Sequence, residues 1–177
     1  MRRLTFFIIQ CDDVRTSMDT EPKIIAETED VLAIDKPAGL IVHSDGRTEE
    51  PSLADWVAEH YPELANIGEP WISPQGERVP VCGIVHRLDR TTSGIMLVAK
   101  NRETFVYLKN EFKERRVEKI YWAYVYGDME EEGTIVAEIM RSSQPPRKWY
   151  ARACDENDKR AACLRRQAIT KWRILKR

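Results

Sequence analysis

The sequence predicts an α+β fold: a mixed, mostly antiparallel sheet with flanking helices. Three observations carry that expectation. Apolar runs of strand length and two helical patterns follow one another in mixed order rather than as regular strand–helix–strand units. Neither a glycine-rich phosphate loop nor a G-x-S-x-G elbow occurs, and no internal repeat is visible. The composition, 42% hydrophobic and 32% charged over 177 residues, is that of an ordinary globular protein, large enough for one domain with a core.

Taken in order, residues 1–22 form a loosely specified N-terminal preface, a short β-prone run and then a polar stretch ending at Pro22. Residues 23–177 form the patterned domain. Asp30 to Asp35 reads as a buried strand, Lys36-Pro37-Ala38-Gly39 breaks it, and Leu40 to His43 reads as a second strand. Ser52, with Asp55 three residues on, opens a short helix whose Leu53, Trp56 and Val57 face inward. Residues 62–80, rich in Pro, Gly and Glu, are an irregular loop. Ile95 to Ala99 is a strand. Asn101 caps a helix to about Arg116, with Phe105, Leu108 and Phe112 on its apolar stripe and Lys113, Arg115 and Arg116 at its negative end. Glu118 to Gly127, Thr134 to Ile139 and Gln167 to Leu175 supply further strands.

The net charge of -1 conceals an asymmetry. Residues 1–80 hold 7 Lys and Arg against 16 Asp and Glu, whereas residues 141–177 hold 12 against 3. A basic second half suits a polyanion such as RNA, and equally a solvated surface. Cys11, Cys82, Cys154 and Cys163 make no CxxC pair, and three histidines (His43, His60, His86) assemble no zinc set, so reduced thiols in a cytoplasmic protein and no metal are expected. The apolar run Leu4 to Ile9 is too short for a signal peptide and is followed by Asp12 and Asp13. No run approaches the roughly 20 apolar residues of a membrane span, so no membrane partner is expected.

The chemistry concentrates in Gly83 to Asn101, GIVHRLDRTTSGIMLVAKN. Asp89 stands between Arg87 and Arg90, just before an apolar strand. A carboxylate held between guanidiniums stays ionised and aimed, as a nucleophile or general base must be. The same arginines suit phosphates and bases. An isolated Arg-Leu-Asp-Arg would more often be a surface ion pair; the length of the block argues otherwise.

HRLDRTTSG, followed by an apolar strand and Ala-Lys-Asn, resembles the signature of the RluA-type pseudouridine synthases. Three further blocks extend the likeness from about Asp30 to Leu175: Asp35 to Leu40 resembles the family's KPxG turn, Lys119 to Ala123 its K-x-Y-x-A block, and Gln167 to Trp172 a later structural strand. The resemblance implies a pseudouridine synthase-like catalytic fold with Asp89 as catalytic carboxylate. It implies that Arg87 takes the flipped nucleotide's place in the RNA stack and that Tyr121 lies against the target uracil. His86, Arg90, Thr92 and Lys36 complete the expected substrate contacts, although the Pro-Gly turn at Lys36 serves structure first and lone histidines such as His43 and His86 are more often structural. The expected activity is isomerisation of uridine in structured RNA, ribosomal or transfer, by a monomer. That reaction breaks the C1′–N1 bond, rotates the base and rejoins it through C5. Nothing is oxidised, reduced or hydrolysed, so no cofactor is expected.

One part of the family pattern is missing. The family continues for several dozen residues into a block resembling G-R-x-H-Q-I-R-x-H, which supplies a second basic residue for the catalytic aspartate. Here the sequence ends at Lys176-Arg177, and nothing in the spacing of Arg147, Lys148, Arg165 or Arg166 marks a substitute. The expectation is therefore a C-terminally incomplete catalytic domain, marginally stable and weakly active. The alternative is a catalytically dead RNA-binding remnant or a gene fragment of the same family.

Overall fold

The computed structural model describes residues 5–9, 21–44, 50–72, 76, 78–142, 148–153 and 167–177. The chain divides into two units, Met1–Val125 and Tyr126–Arg177. Cys11, Cys154, Cys163, Arg147, Arg165 and Arg166, all weighed above, lie outside the described residues.

In the first unit, β1 (Thr5–Ile9), β2 (Lys23–Glu27), β3 (Val31–Lys36), β6 (Ser93–Ala99) and β7 (Glu118–Trp122) form one sheet in the order β2-β3-β6-β1-β7. All neighbours are antiparallel except β1 and β7. The sheet is thus mixed and mostly antiparallel, and with its helices the fold is α+β, as the sequence predicts. β1 comes from the N-terminal preface. A two-stranded ladder, β4 (Trp71–Ile72) with β5 (Arg78–Val79), and a 3₁₀ turn at Pro62–Leu64 interrupt the long loop.

The pleat decides what the central strands bury. On β3, Leu32, Ile34 and Lys36 share one face; on β6, Met96 and Val98 meet them. Against that face packs α1 (Leu53–His60) through Leu53, Ala54 and Val57, with Leu64, Cys82, Ile84 and Leu88. On the other face, Leu97 and Ala99 meet Phe105 and Leu108 of α2 (Arg102–Lys113). Covered on both sides, β6 reads as the unbroken run Ile95-Met96-Leu97-Val98-Ala99.

Both helices start where their caps dictate. Ser52 Oγ accepts from Asp55 N–H at 3.3 Å and Asp55 Oδ2 accepts from Ser52 N–H at 2.8 Å, a complete capping box. Asn101 Oδ1 accepts from Thr104 N–H at 2.8 Å. The end of α2 corrects the sequence reading: it stops at Lys113, not near Arg116. Arg115 turns to φ 55°, and the N–H groups of Arg115 and Arg116 return to Phe112 and Glu111 in a Schellman arrangement, with arginine where glycine is usual. Residues 40–43 are no strand either. Only Ile41 bridges to Ser52, because the backbone there serves the start of α1: Leu53 and Ala54 N–H donate to Ile41 and Val42 O. Trp56 is only half-buried, its ring stacked on His60.

The second unit is an antiparallel sheet of β8 (Glu132–Arg141), β9 (Trp149–Ala153) and β10 (Gln167–Arg173), in the order β10-β8-β9. β9 is not anticipated by the sequence pattern. Trp172 lies on Gly133, where a Cβ would meet its ring at 2.6 Å. Arg141 covers the Trp149 ring, and Arg152 pairs with Glu138 at 2.8 Å. No described helix is long and apolar enough to cross a membrane.

Candidate active site

The site is assembled at the end of β3 and the start of β6, adjacent strands whose registers pair Lys36 with Gly94. The chain reaches β6 along a route that only glycine permits. Gly83 holds φ 72°, and a Cβ there would stand 2.1 Å from the Ala99 carbonyl oxygen. Its N–H donates to Ile67 O at 2.8 Å, and its own carbonyl accepts from Ala99 N–H at 2.9 Å. Residues 83–84 are thereby laid beside β6, and Ile84 bridges to Val98. From there the chain runs to a tight turn that Thr92 N–H closes on Asp89 O at 3.1 Å.

Side-chain direction along this stretch follows from burial. Leu88 and Thr92 are buried, so the turn is anchored on either side of the carboxylate, while Arg87, Asp89, Arg90 and Thr91 are exposed. Asp89 is therefore presented to solvent from a turn whose flanking side chains are buried. Tyr121, half-exposed on β7, is brought near it: burial first and the Asp89 charge second push the phenol's pKa up.

Lys36 is the buried partner in this neighbourhood. Its side chain has no exposed surface, and Nζ donates to Pro37 O and Leu40 O, each at 2.8 Å, and to Arg90 O at 3.4 Å. Burial lowers its pKa to about 8, against the opposing pull of Asp89 and Asp35. Lys36 ties the Lys36-Pro37-Ala38-Gly39 turn to the signature from beneath the surface, rather than reaching outward as the substrate contact that the sequence suggests.

His86 differs from expectation in the same way. Its Nε2 accepts from Leu97 N–H at 3.0 Å, and its ring stacks on Phe112 with centroids 4.4 Å apart. Burial and then the charge of Lys119 push its pKa down to about 4. A ring so engaged supports β6 and α2. The histidine nearer the signature's charges is His43, half-buried, its pKa lowered by burial and then by Arg87, with Asp55 opposing.

Arg90 has a partner of its own. Both terminal nitrogens of its guanidinium donate to the Glu50 carboxylate, one at 2.8 Å and the other closer still. The guanidinium expected to flank Asp89 is thus engaged by a residue the sequence reading passed over. An acid two positions before a helix cap carries no signal of a partner 40 residues away. Among the described residues no group of three or more His, Cys, Asp or Glu is placed to hold a metal ion.

Comparison with known proteins places the chain in a family. The model of the RNA pseudouridylate synthase family matches residues 30–175. A ribosomal large subunit pseudouridine synthase D from Pseudomonas aeruginosa is 40% identical over 125 residues, covering 71% of this chain and 35% of the relative. An uncharacterised RNA pseudouridine synthase from Synechocystis is 34% identical over 155 residues, 87% of this chain and 42% of the relative. One from Aquifex aeolicus is 32% identical over 166 residues, 90% and 46%. The chain spans less than half the length of each. With the signature, its aspartate and its tyrosine block all inside the matched region, the chain belongs to the RluA-type RNA pseudouridine synthase family.

Proposed function

We propose that this protein isomerises specific uridines of structured RNA to pseudouridine, with residues 23–177 forming the catalytic domain and Asp89 as the catalytic carboxylate. The observation that carries the proposal is the meeting of an outward-facing Asp89, a rigidly closed turn, Tyr121 and the Lys36 ammonium at the ends of three strands of one sheet. Ribosomal RNA is the first candidate, since relatives are named for the large ribosomal subunit; transfer RNA is the second. On this reading the enzyme works as a cytoplasmic monomer without metal or cofactor.

The reaction asks little of the protein beyond placement and one carboxylate. The target nucleotide leaves its stack at a cost of a few kcal/mol, which Arg87 offsets by taking the vacated place and Tyr121 by lying against the uracil. Asp89 acts at the ribose, either adding to C1′ as nucleophile while the C1′–N1 bond breaks, or removing a ribose proton to the same end. The freed base turns over, C5 bonds to C1′, and the C5 hydrogen leaves as a proton. The carboxylate is regenerated. Lys36, held by three backbone carbonyls, keeps the turn after β3 tied to the Asp89 segment.

Tritium release from RNA labelled at uridine C5 tests the proposal, because only the new C1′–C5 bond expels that hydrogen. Wild type is expected to release tritium from ribosomal or transfer RNA. Asp89→Asn is expected to release none, with RNA affinity nearly intact, since losing one negative charge does not weaken phosphate contacts. Turnover by the Asn variant, or no release by wild type from either RNA, sinks it.

A further inference from the structure

Arg90 follows Asp89 directly, and its two ends serve different segments. Its carbonyl accepts from Gly39 N–H at 2.7 Å and from Lys36 Nζ at 3.4 Å, so its backbone is bound to the turn that leaves β3. Its guanidinium grips both oxygens of Glu50, which stands two residues before Ser52 and the capping box of α1. One residue therefore links the catalytic turn to two segments lying 40 and more positions earlier in the chain.

The geometry of that grip matters more than its energy. An exposed ion pair contributes little to stability. A planar guanidinium bonded through both terminal nitrogens nevertheless fixes direction as well as distance. Thr92 N–H to Asp89 O closes the turn and Gly39 N–H holds its main chain, and the guanidinium adds a third, direction-fixing tie on the solvent side, next to the exposed carboxylate. The same grip argues against a phosphate contact: the two charges neutralise one another, and the fork that would read a phosphate is already filled.

We infer that Arg90 and Glu50 form a strut that aims Asp89, which makes Glu50 a positioning residue of the isomerisation site and places Arg90 in the same role rather than on the RNA. The inference rests on the uridine isomerisation proposed above.

Three measurements on wild type, Glu50→Gln and Arg90→Lys decide it. The first is pseudouridine formation, the second RNA affinity, and the third hydrogen exchange at the Gly39 and Thr92 amides. Lysine keeps the charge that a phosphate contact needs but loses the fork. Both variants are expected to lose about tenfold in kcat. Their KM and RNA Kd should stay within about twofold of wild type, because no phosphate contact is removed. The Gly39 and Thr92 amides should exchange faster in both variants. A wild-type kcat in Arg90→Lys overturns the inference. So does tighter RNA binding by Glu50→Gln, since it would mean that a released Arg90 had gone to a phosphate. Should wild type itself form no pseudouridine, the isomerase reading fails on its own, and exchange and affinity still judge the strut: unchanged exchange at both amides overturns it.

Discussion

The turn that carries Asp89 and the strand that carries Tyr121 stand close together but are held very differently. The turn is tied to Lys36 and Gly39 through the Arg90 carbonyl and to Glu50 through its side chain, with Leu88 and Thr92 sunk on either side. Behind it, His86 and Gly83 bond to the backbone of β6. Among the described residues β7 has one strand neighbour, β1, and lies at the sheet's edge. From Tyr121 onward the chain shows its rings to solvent: Trp122 is half-exposed, Tyr124 is 83% exposed and Tyr126 fully so. The Asp89 carboxylate is thus the better held of the two. On the proposed reading that difference is apt, since aim matters most at a group that makes and breaks bonds and less at a ring stacked on a base.

If that contrast is right, substitutions under the turn will be costly and those past Tyr121 nearly silent. Gly83→Ala should have the largest effect. It forces an alanine into φ 72° and drives its Cβ into the Ala99 carbonyl, so one of the bonds joining residue 83 to Ile67 and Ala99 must break. A loss of about 4 kcal/mol is expected in denaturant unfolding. A wild-type midpoint in the alanine variant would mean that the turn is held elsewhere.

Acidification comes next. The pKa of His86 is lowered from 6.5 to about 4 in the folded protein, so below pH 6.5 the unfolded chain binds a proton that the folded one refuses. Stability should therefore fall as pH drops from 6.5 to 4, by up to about 3 kcal/mol, and stay flat in this respect above 6.5. His86→Gln keeps an acceptor for Leu97 N–H but does not titrate. Its unfolding free energy should be less dependent on pH across that window, and equal slopes for both proteins would exclude His86 as the cause.

Lys36→Met is expected to cost about 2 kcal/mol, because three inward carbonyls lose their donor while the cost of burying an ammonium is relieved. Thermal melts at pH 7 measure it, and a stabilised variant would show that the buried charge outweighs its hydrogen bonds. The smallest effect belongs to the other region. Tyr126→Ala should change unfolding free energy by less than about 0.5 kcal/mol. A loss above 1 kcal/mol would show that the exposed aromatic stretch is covered in solution.

Much of the fold was legible in the residues. Alternation and apolar runs placed β3 and β6, and Ser52-x-x-Asp55 and Asn101 placed the helix starts, because caps bond within three residues of themselves. The run Glu118 to Gly127 was read too long: β7 ends at Trp122, and the aromatic alternation that continues past it is not a strand. Residues 40–43 were read as a strand from their apolar character, but their carbonyls go to the first N–H groups of α1, a competition invisible in a local window. β9 was missed because Trp149-Tyr150-Ala151-Arg152-Ala153 alternates weakly and gains strand character from its pairing with β8.

The site divides along the same line. The family was legible in the residues alone, because its signature and its K-x-Y-x-A block are contiguous runs, and those runs also name Asp89 and Tyr121 as the candidates for the site. The burial of Lys36, the bond of the His86 ring to Leu97 N–H and the pairing of Arg90 with Glu50 came only with the folded chain. Each of these depends on a partner 11 to 54 residues away, and such a partner is set by the register of β3 against β6 and by the approach of α1. A charged residue looks the same in sequence whether it faces RNA, a carboxylate or three backbone carbonyls. Burial and the nearest opposite charge tell them apart, and neither exists until the strands have paired.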